Sequence, residues 1–402
     1  MTGNQFRLVR WLGFLSGAAA IVIWLIFVFW ARRFTDAHWA SLVPGFADVE
    51  TQFGPTPSGH VSWIMGLFLG FLTLILGVIW LYFHFVGVFQ QPEVQLRLFS
   101  NALALAAACG IFVCWTQTPE QPWYRIETMM TDPGSVIVFG QRLLLIWPAV
   151  LLKHFVPQLS YLVAFKVTQG LAILVAVYLV GKWAEIFVGE FRFIGQIMLA
   201  AYLVPTFAYL NAHDIGIVII YTLCFLLLYQ RKYSLFCLVF CIGIFNHQNI
   251  LLLIPTALAV MWGRESRSRV IGVTAFLTVI YFAIQFLLNR FMPIPATHIF
   301  KIWWNIRMIV EMRRTMVLGF ITLAPWYAAA IAVFRPADPF LKRASVLFPM
   351  QLGVFFLYGA LNEARIFNGF LPILFGILLC FVRDRFLNPR VPVADVSLRI
   401  AV

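Results

Sequence analysis

The sequence predicts an all-α fold: a polytopic transmembrane helical bundle of about 12 spans plus a short interfacial or re-entrant helix. Three observations predict it. The 402 residues are 62% hydrophobic and only 11% charged, with mean hydropathy +0.89, whereas a soluble domain is about half apolar and about a quarter charged. The apolar residues are gathered into runs of about 20, the length that crosses about 30 Å of hydrocarbon. The runs are continuous rather than alternating, which argues against membrane strands.

In chain order, spans are expected at about 11–31, 62–89, 98–115, 159–181, 194–211, 213–229, 233–245, 249–262, 270–289, 316–334, 344–361 and 366–382. Arg7 and Arg10 precede the first run, but the run is long and no small-residue cleavage site follows, so it reads as a retained span. Segment 143–157 (LLLIWPAVLLKHFVP) is short and interrupted by Pro148, and is expected to lie at the interface or re-enter without crossing. The whole chain, 1–402, reads as one integral membrane domain: two N-terminal spans (11–89), a central module (98–290), an outer loop with C-terminal spans (291–382) and a tail (383–402).

The net charge of +13 reads as topology and not as a nucleic-acid surface. With 143–157 not crossing, the clusters RK at 231, RESRSR at 264 and RDR at 383 fall on one side with both termini. The positive-inside rule makes that side cytoplasmic; the expected location is a bacterial inner (plasma) membrane, with both termini cytoplasmic. The long loops 32–61, 116–142 and 290–315 then share the outer side with the polar breaks NAHD (211–214), NHQN (246–249) and NEAR (362–365). The six cysteines lie in or at the ends of apolar runs without metal-ligand spacing, so they read as small core residues.

Candidate site residues lie in those outer segments. The interval 233–262 holds about 30 residues, too few for two full crossings, so NHQN is expected below the outer surface. It is either a helix-capping turn or the floor of a cavity, with His247 donating a hydrogen bond or carrying a proton and Asn249 beside it. In NAHD, Asp214 suits the first turn of a helix, or the rim of a cavity beside His213, where it could bind a metal or a cation. Loop 116–142 carries Glu120, Glu127, Asp132, Arg125 and Arg142; carboxylates serve as base or metal ligand and arginines hold phosphate. Lys166 lies inside a span and either snorkels or faces an anion. Loop 290–315 is basic and aromatic, with Arg313 and Arg314, which suits lipid headgroups. In LNEARIFNGFLPILFG, from Leu361, helical spacing puts Asn362, Arg365, Asn368 and Gly369 near one face, with Glu363 elsewhere. That face is either an interhelical clamp or a surface for phosphate and sugar.

The block from about 98 to 290 resembles the GT-C superfamily of membrane glycosyltransferases, which use polyprenyl-phosphate or polyprenyl-diphosphate sugars. The resemblance rests on the order of parts: a span; an outer loop with Glu127 and Asp132; QRLLLIWPAVLLKHF; a span; NAHD opening a helix that ends in YQRKY; then FNHQNILLLIP. It implies a GT-C-like bundle in which Asp132 is the catalytic base, with Glu127 as its rival and Asp214 as a second acidic position. No compact Asp-x-Asp pair occurs, and two spans precede the module, so Asp36 in RFTDAHW competes for the loop-acid role.

The implied activity is sugar transfer on the outer face, from a polyprenyl-phosphate-linked donor to a glycan or lipid acceptor, in cell-envelope assembly. Phosphate would be held by some of Arg142, Lys166, Arg313, Arg314 and Arg365, with or without magnesium or manganese, and membrane lipids would surround the chain. The competing expectations are a lipid or glycolipid transporter, which would use the same charges as a path, and a non-catalytic subunit of an envelope polysaccharide assembly.

Overall fold

The computed structural model describes residues 100, 101, 104, 107, 108, 111, 112, 144, 146–203, 214–291, 302–310, 324–334, 337–358 and 364–387. The described residues form helices and their connections, with no strand among them. The α-helices are α1 (Ile146–Phe155), α2 (Tyr161–Val188), α3 (Phe193–Leu203), α4 (Asp214–Tyr229), α5 (Tyr233–Ile244), α6 (Leu253–Met261), α7 (Arg267–Phe291), α8 (Ile302–Val310), α9 (Pro339–Ala344), α10 (Leu347–Tyr358) and α11 (Leu371–Val382). Residues 324–332 add a further helical stretch. Short 3₁₀ turns stand before α6 (Gln248–Leu252) and before α11 (Ala364–Phe370).

Among the described residues three helical units are long and apolar enough to cross a membrane: Tyr161–Phe191, Arg267–Phe291 and Pro339–Tyr358. The other spans expected inside the described residues are shorter apolar helices, among them Phe193–Leu203, Asp214–Tyr229, Tyr233–Ile244 and Gln248–Met261. The expected spans at 11–31 and 62–89 lie outside the described residues. Segment 143–157 forms the ten-residue helix α1, with Pro148 in its first turn, where a missing N–H is tolerated. At about 15 Å by helical rise, α1 is too short to cross.

Local chemistry sets the ends of the long helices. Ser160 caps α2, its Oγ accepting from the Val163 N–H at 3.2 Å. Gly189 ends α2 at φ 57°, a left-handed conformation open to glycine.

An aromatic cluster ties the helices together at one end. The ring of Trp183 on α2 lies 5.1 Å from Phe187, 6.4 Å from Phe225, 6.0 Å from Tyr229 and 6.1 Å from Phe340. Its Nε1 donates to the Pro372 carbonyl at 2.6 Å. These contacts set the C-terminal ends of α2 and α4 side by side, so the two helices run parallel, with α3 returning between them. A second cluster joins Tyr327, Phe348, Phe367 and Phe370, with Phe348 and Phe370 5.1 Å apart.

The same end gathers ion pairs. Glu265, between α6 and α7, accepts from the Tyr233 hydroxyl at 2.9 Å and from Arg269 Nη1 at 2.7 Å, with Arg231 Nη1 at 3.6 Å. Arg343 donates to the Trp262 carbonyl at 2.6 Å, and Asp338 caps α9 by accepting from the Phe340 N–H at 2.7 Å. Burial by itself raises the Glu265 carboxyl, but the Tyr233 and Arg269 hydrogen bonds and the charges of Arg269 and Arg231 outweigh it and leave the carboxyl below its ordinary value.

Backbones approach closely where glycine permits. A methyl group at Gly216 would lie 2.2 Å from Asn246 Oδ1, and one at Gly243 would lie 2.7 Å from Ile220 Cγ2. Helices α4 and α5 therefore pack antiparallel at near-backbone contact. Gly216→Ala is expected to lower stability by about 1–3 kcal/mol through overpacking, read as a lower melting temperature of the detergent-solubilised protein. Glu265→Gln is expected to cost about 1 kcal/mol at neutral pH, since its arginine partners are exposed. A carboxyl lowered on folding stabilises above its unfolded value and loses that stabilisation as pH falls. The melting-temperature gap between wild type and Glu265→Gln should thus close below about pH 4.

Candidate functional site

The site is built around the break between α5 and α6. Helix α5 has 12 residues and rises about 18 Å; the 3₁₀ turn and α6 that follow, Gln248–Met261, return over about 21 Å. The hairpin therefore turns back well short of a full crossing, as the length of the 233–262 interval predicts. Helix α7 carries the comparison within the structure. Its Tyr281 meets the break, and ten more residues continue to Phe291, about 15 Å further along the axis.

A backbone turn among apolar helices must have its polar groups satisfied from within the protein. Two tyrosines from separate helices do this. Tyr221 of α4 donates its hydroxyl to the Asn249 carbonyl at 2.7 Å, and Tyr281 of α7 donates to the Gln248 carbonyl at 3.1 Å. The Leu144 N–H, just before α1, donates to the Phe245 carbonyl at 3.2 Å, so the non-crossing helix is moored to the same turn.

His247 caps the 3₁₀ turn. It is extended, at φ −161° and ψ 137°, and its Nδ1 accepts from the Asn249 N–H at 3.1 Å. An accepting Nδ1 leaves the proton of a neutral ring on Nε2. The capping reading of NHQN is thus realised, through the histidine where asparagine was the expected cap. Asn246 is 2% exposed and lies against Gly216, half a turn beyond Asp214.

Asp214 is the first residue of α4 and is 1% exposed. At that position the helix dipole favours its negative charge. Helix α4 has 16 residues, so Asp214 stands about 22 Å from Tyr229 at the basic end. Lys166 on the parallel α2 stands about 25 Å beyond Trp183, the residue packed on Tyr229. The half-buried ammonium and the buried carboxyl therefore occupy similar levels of the bundle.

The stretch at 364–370 is a 3₁₀ helix, and this alters the face expected for it. With three residues per turn, positions 365 and 368 align but 369 turns away. Gly369 packs on the Tyr221 ring, where a methyl group would lie 2.9 Å from Cε1. Asn368 is fully buried, and neither amide atom has a hydrogen-bond partner among the described residues. Arg365 lies in this 3₁₀ helix.

The structure thus brings His247 and Asn249 together, and joins them through Tyr221 to Gly369, beside Asn368. Asp132, Glu127, Arg142, His213, Arg313, Arg314, Asn362 and Glu363 lie outside the described residues. Sequence reasoning missed the two tyrosines, which sit in apolar runs and carry no local signal. It also missed the small residue Gly216 that admits Asn246. Among the described residues no group of three or more His, Cys, Asp or Glu could hold a metal ion. Cys224, Cys237, Cys241 and Cys380 are free thiols, two of them buried, as the apolar placement of cysteines predicts.

No protein-family model, no curated protein and no solved structure matches the chain.

Tyr221→Phe removes the hydroxyl donor to the partly buried Asn249 carbonyl. It is expected to cost about 1–3 kcal/mol and to speed amide hydrogen exchange across 245–252 relative to α2.

Proposed function

We propose that the chain is an integral membrane glycosyltransferase of the inner (plasma) membrane, with about 12 spans and cytoplasmic termini. It would move a sugar from a polyprenyl-phosphate-linked donor to a glycan or lipid acceptor on the outer face. The observation that carries this reading is the buried carboxyl of Asp214, at a helix start near the level of Lys166 and above a polar turn held inside the bundle. Ionisable groups at membrane depth are costly and mark sites where charge is used. The order of segments that resembles the GT-C superfamily supports the choice of chemistry.

In the proposed reaction the acceptor hydroxyl loses its proton to the carboxylate of Asp132, with Glu127 as its rival. The acceptor oxygen bonds to the anomeric carbon as the bond from that carbon to the phosphate oxygen breaks. The departing phosphate carries the charge and is met by cations drawn from Arg142, Lys166, Arg313, Arg314 and Arg365. Asp214 sets the field at the mouth of the site; if the reaction uses magnesium or manganese, the loop carboxylates Asp132 and Glu127 would hold it and it would supply positive charge for the departing phosphate.

The test is mass spectrometry of the protein in lipid nanodiscs, incubated with a panel of polyprenyl-phosphate sugars and candidate acceptors, with and without divalent metal. Release of free polyprenyl phosphate or diphosphate is expected from wild type, and a drop of at least about 100-fold in Asp132→Asn. Asp214→Asn should fold and lose most of the rate. If no donor is consumed under any condition, the reading fails and the same charges are to be reread as a transport path.

A further inference from the structure

At the opposite end of α2 from Lys166 a cleft of about 190 Å³ opens between α2, α3 and the helical residues near 101. Arg192, Asn101 and Gln196 form its polar wall, and Leu174, Val177 and Tyr178 its apolar wall. Arg192 is held in place: its Nε donates to Ser100 Oγ at 3.2 Å and its Nη2 to Asn101 Oδ1 at 2.8 Å. Its Nη1 lies 3.7 Å from Glu185 Oε2, beyond hydrogen-bond length, which leaves donors on a fixed guanidinium at the cleft.

Gln196 supplies an independent sign of a missing partner. It is 4% exposed, and its Nε2 donates to the Val177 carbonyl at 3.3 Å. Its Oε1 is buried and accepts no hydrogen bond among the described residues. The amide is pressed onto Gly181, where a methyl group would lie 2.4 Å from Nε2, so the side chain has little freedom to turn. A buried acceptor without a donor costs about 1–3 kcal/mol, and a ligand that donates to it recovers that loss.

The surface leading into the cleft is apolar. Leu171, Leu174, Val175 and Tyr178 recur at helical spacing along α2, 58%, 43%, 46% and 58% exposed. One turn further on, Lys182 pairs with Glu185 at 2.8 Å, both partly exposed. An apolar stripe therefore ends at two cations, Lys182 and Arg192, with Glu185 paired to both and Glu190 exposed in the turn before Arg192. A hydrocarbon chain matches the stripe, and an anion matches the Arg192 guanidinium donors left over from Ser100 and Asn101.

We infer that this cleft binds a glycerophospholipid whose head group bears a hydroxyl or ammonium donor beyond the phosphate. The phosphate sits on the free guanidinium N–H groups of Arg192, the donor meets Gln196 Oε1, and an acyl chain lies along Leu174 and Leu171. The site stands at the basic end of the bundle and does not rest on the proposed transfer reaction.

The test is native mass spectrometry of the full chain, delipidated in non-ionic detergent and titrated with phosphatidylglycerol, phosphatidylcholine or inorganic phosphate. Phosphatidylglycerol, with head-group hydroxyls, is expected to be retained about tenfold better than phosphatidylcholine, which has no donor. Arg192→Gln should lose that retention. Leu174→Trp, which fills the cleft from an exposed position and leaves the Arg192 hydrogen bonds intact, should lose it too, with an unchanged melting temperature. Equal retention of the two lipids, or wild-type retention by Leu174→Trp, overturns the proposal. Displacement of phosphatidylglycerol by inorganic phosphate at equal concentration would also overturn it, since the site would then be one for a free anion.

Discussion

A helix satisfies its own backbone, and a turn does not. In apolar surroundings every N–H and C=O freed by a turn must find a partner inside the protein. Among the described residues the break at 245–252 shows that constraint directly. Its carbonyls are met by Leu144, Tyr281 and Tyr221, which come from three separate parts of the sequence. The positions of α1, α4 and α7 are linked to one another through that turn. The shortness of the α5–α6 hairpin and the close α4–α5 contact at Gly216 follow from the same arrangement.

Charge is distributed with similar economy. At one end, Glu265, Asp338, Arg343 and the Arg383–Asp384 pair at 2.7 Å join loops to helix ends. Near the other, Asp214 is buried at a helix start and Lys166 is half-buried on the neighbouring helix. In the first group each charge has a partner: the Glu265 carboxylate, only 6% exposed itself, is paired with the exposed Arg231 and Arg269. Asp214 stands in the first turn of a helix, where the dipole favours its charge, and burying a carboxyl there is costly. Asp214 enters the proposed site because it lies near the level of Lys166, at the end of α4 away from Tyr229, whereas Glu265 lies at the opposite, basic end.

The candidate site was legible only in part. Asp214 at a helix start and the depth of NHQN follow from residue type and segment length, both local properties. The role of His247 was legible as an alternative, since a polar turn between two apolar helices needs a cap. The face assigned to 362–369 differed because α-helical spacing was assumed, whereas the segment winds as a 3₁₀ helix ahead of Pro372. A change from 3.6 to three residues per turn moves Gly369 off the face shared by positions 365 and 368.

Composition and run length by themselves determined the helical class of the described residues, the presence of segments able to cross a membrane and the shortness of the helix at 146–155. Each depends on residues adjacent in the chain, where periodicity and transfer free energy act. Tertiary structure decided which hydroxyl meets which carbonyl, which glycine admits Asn246, and which wall Arg192 and Gln196 share with Tyr178. Those pairings join residues far apart in sequence. Their partners are chosen by packing distance and hydrogen-bond satisfaction, which no local pattern encodes.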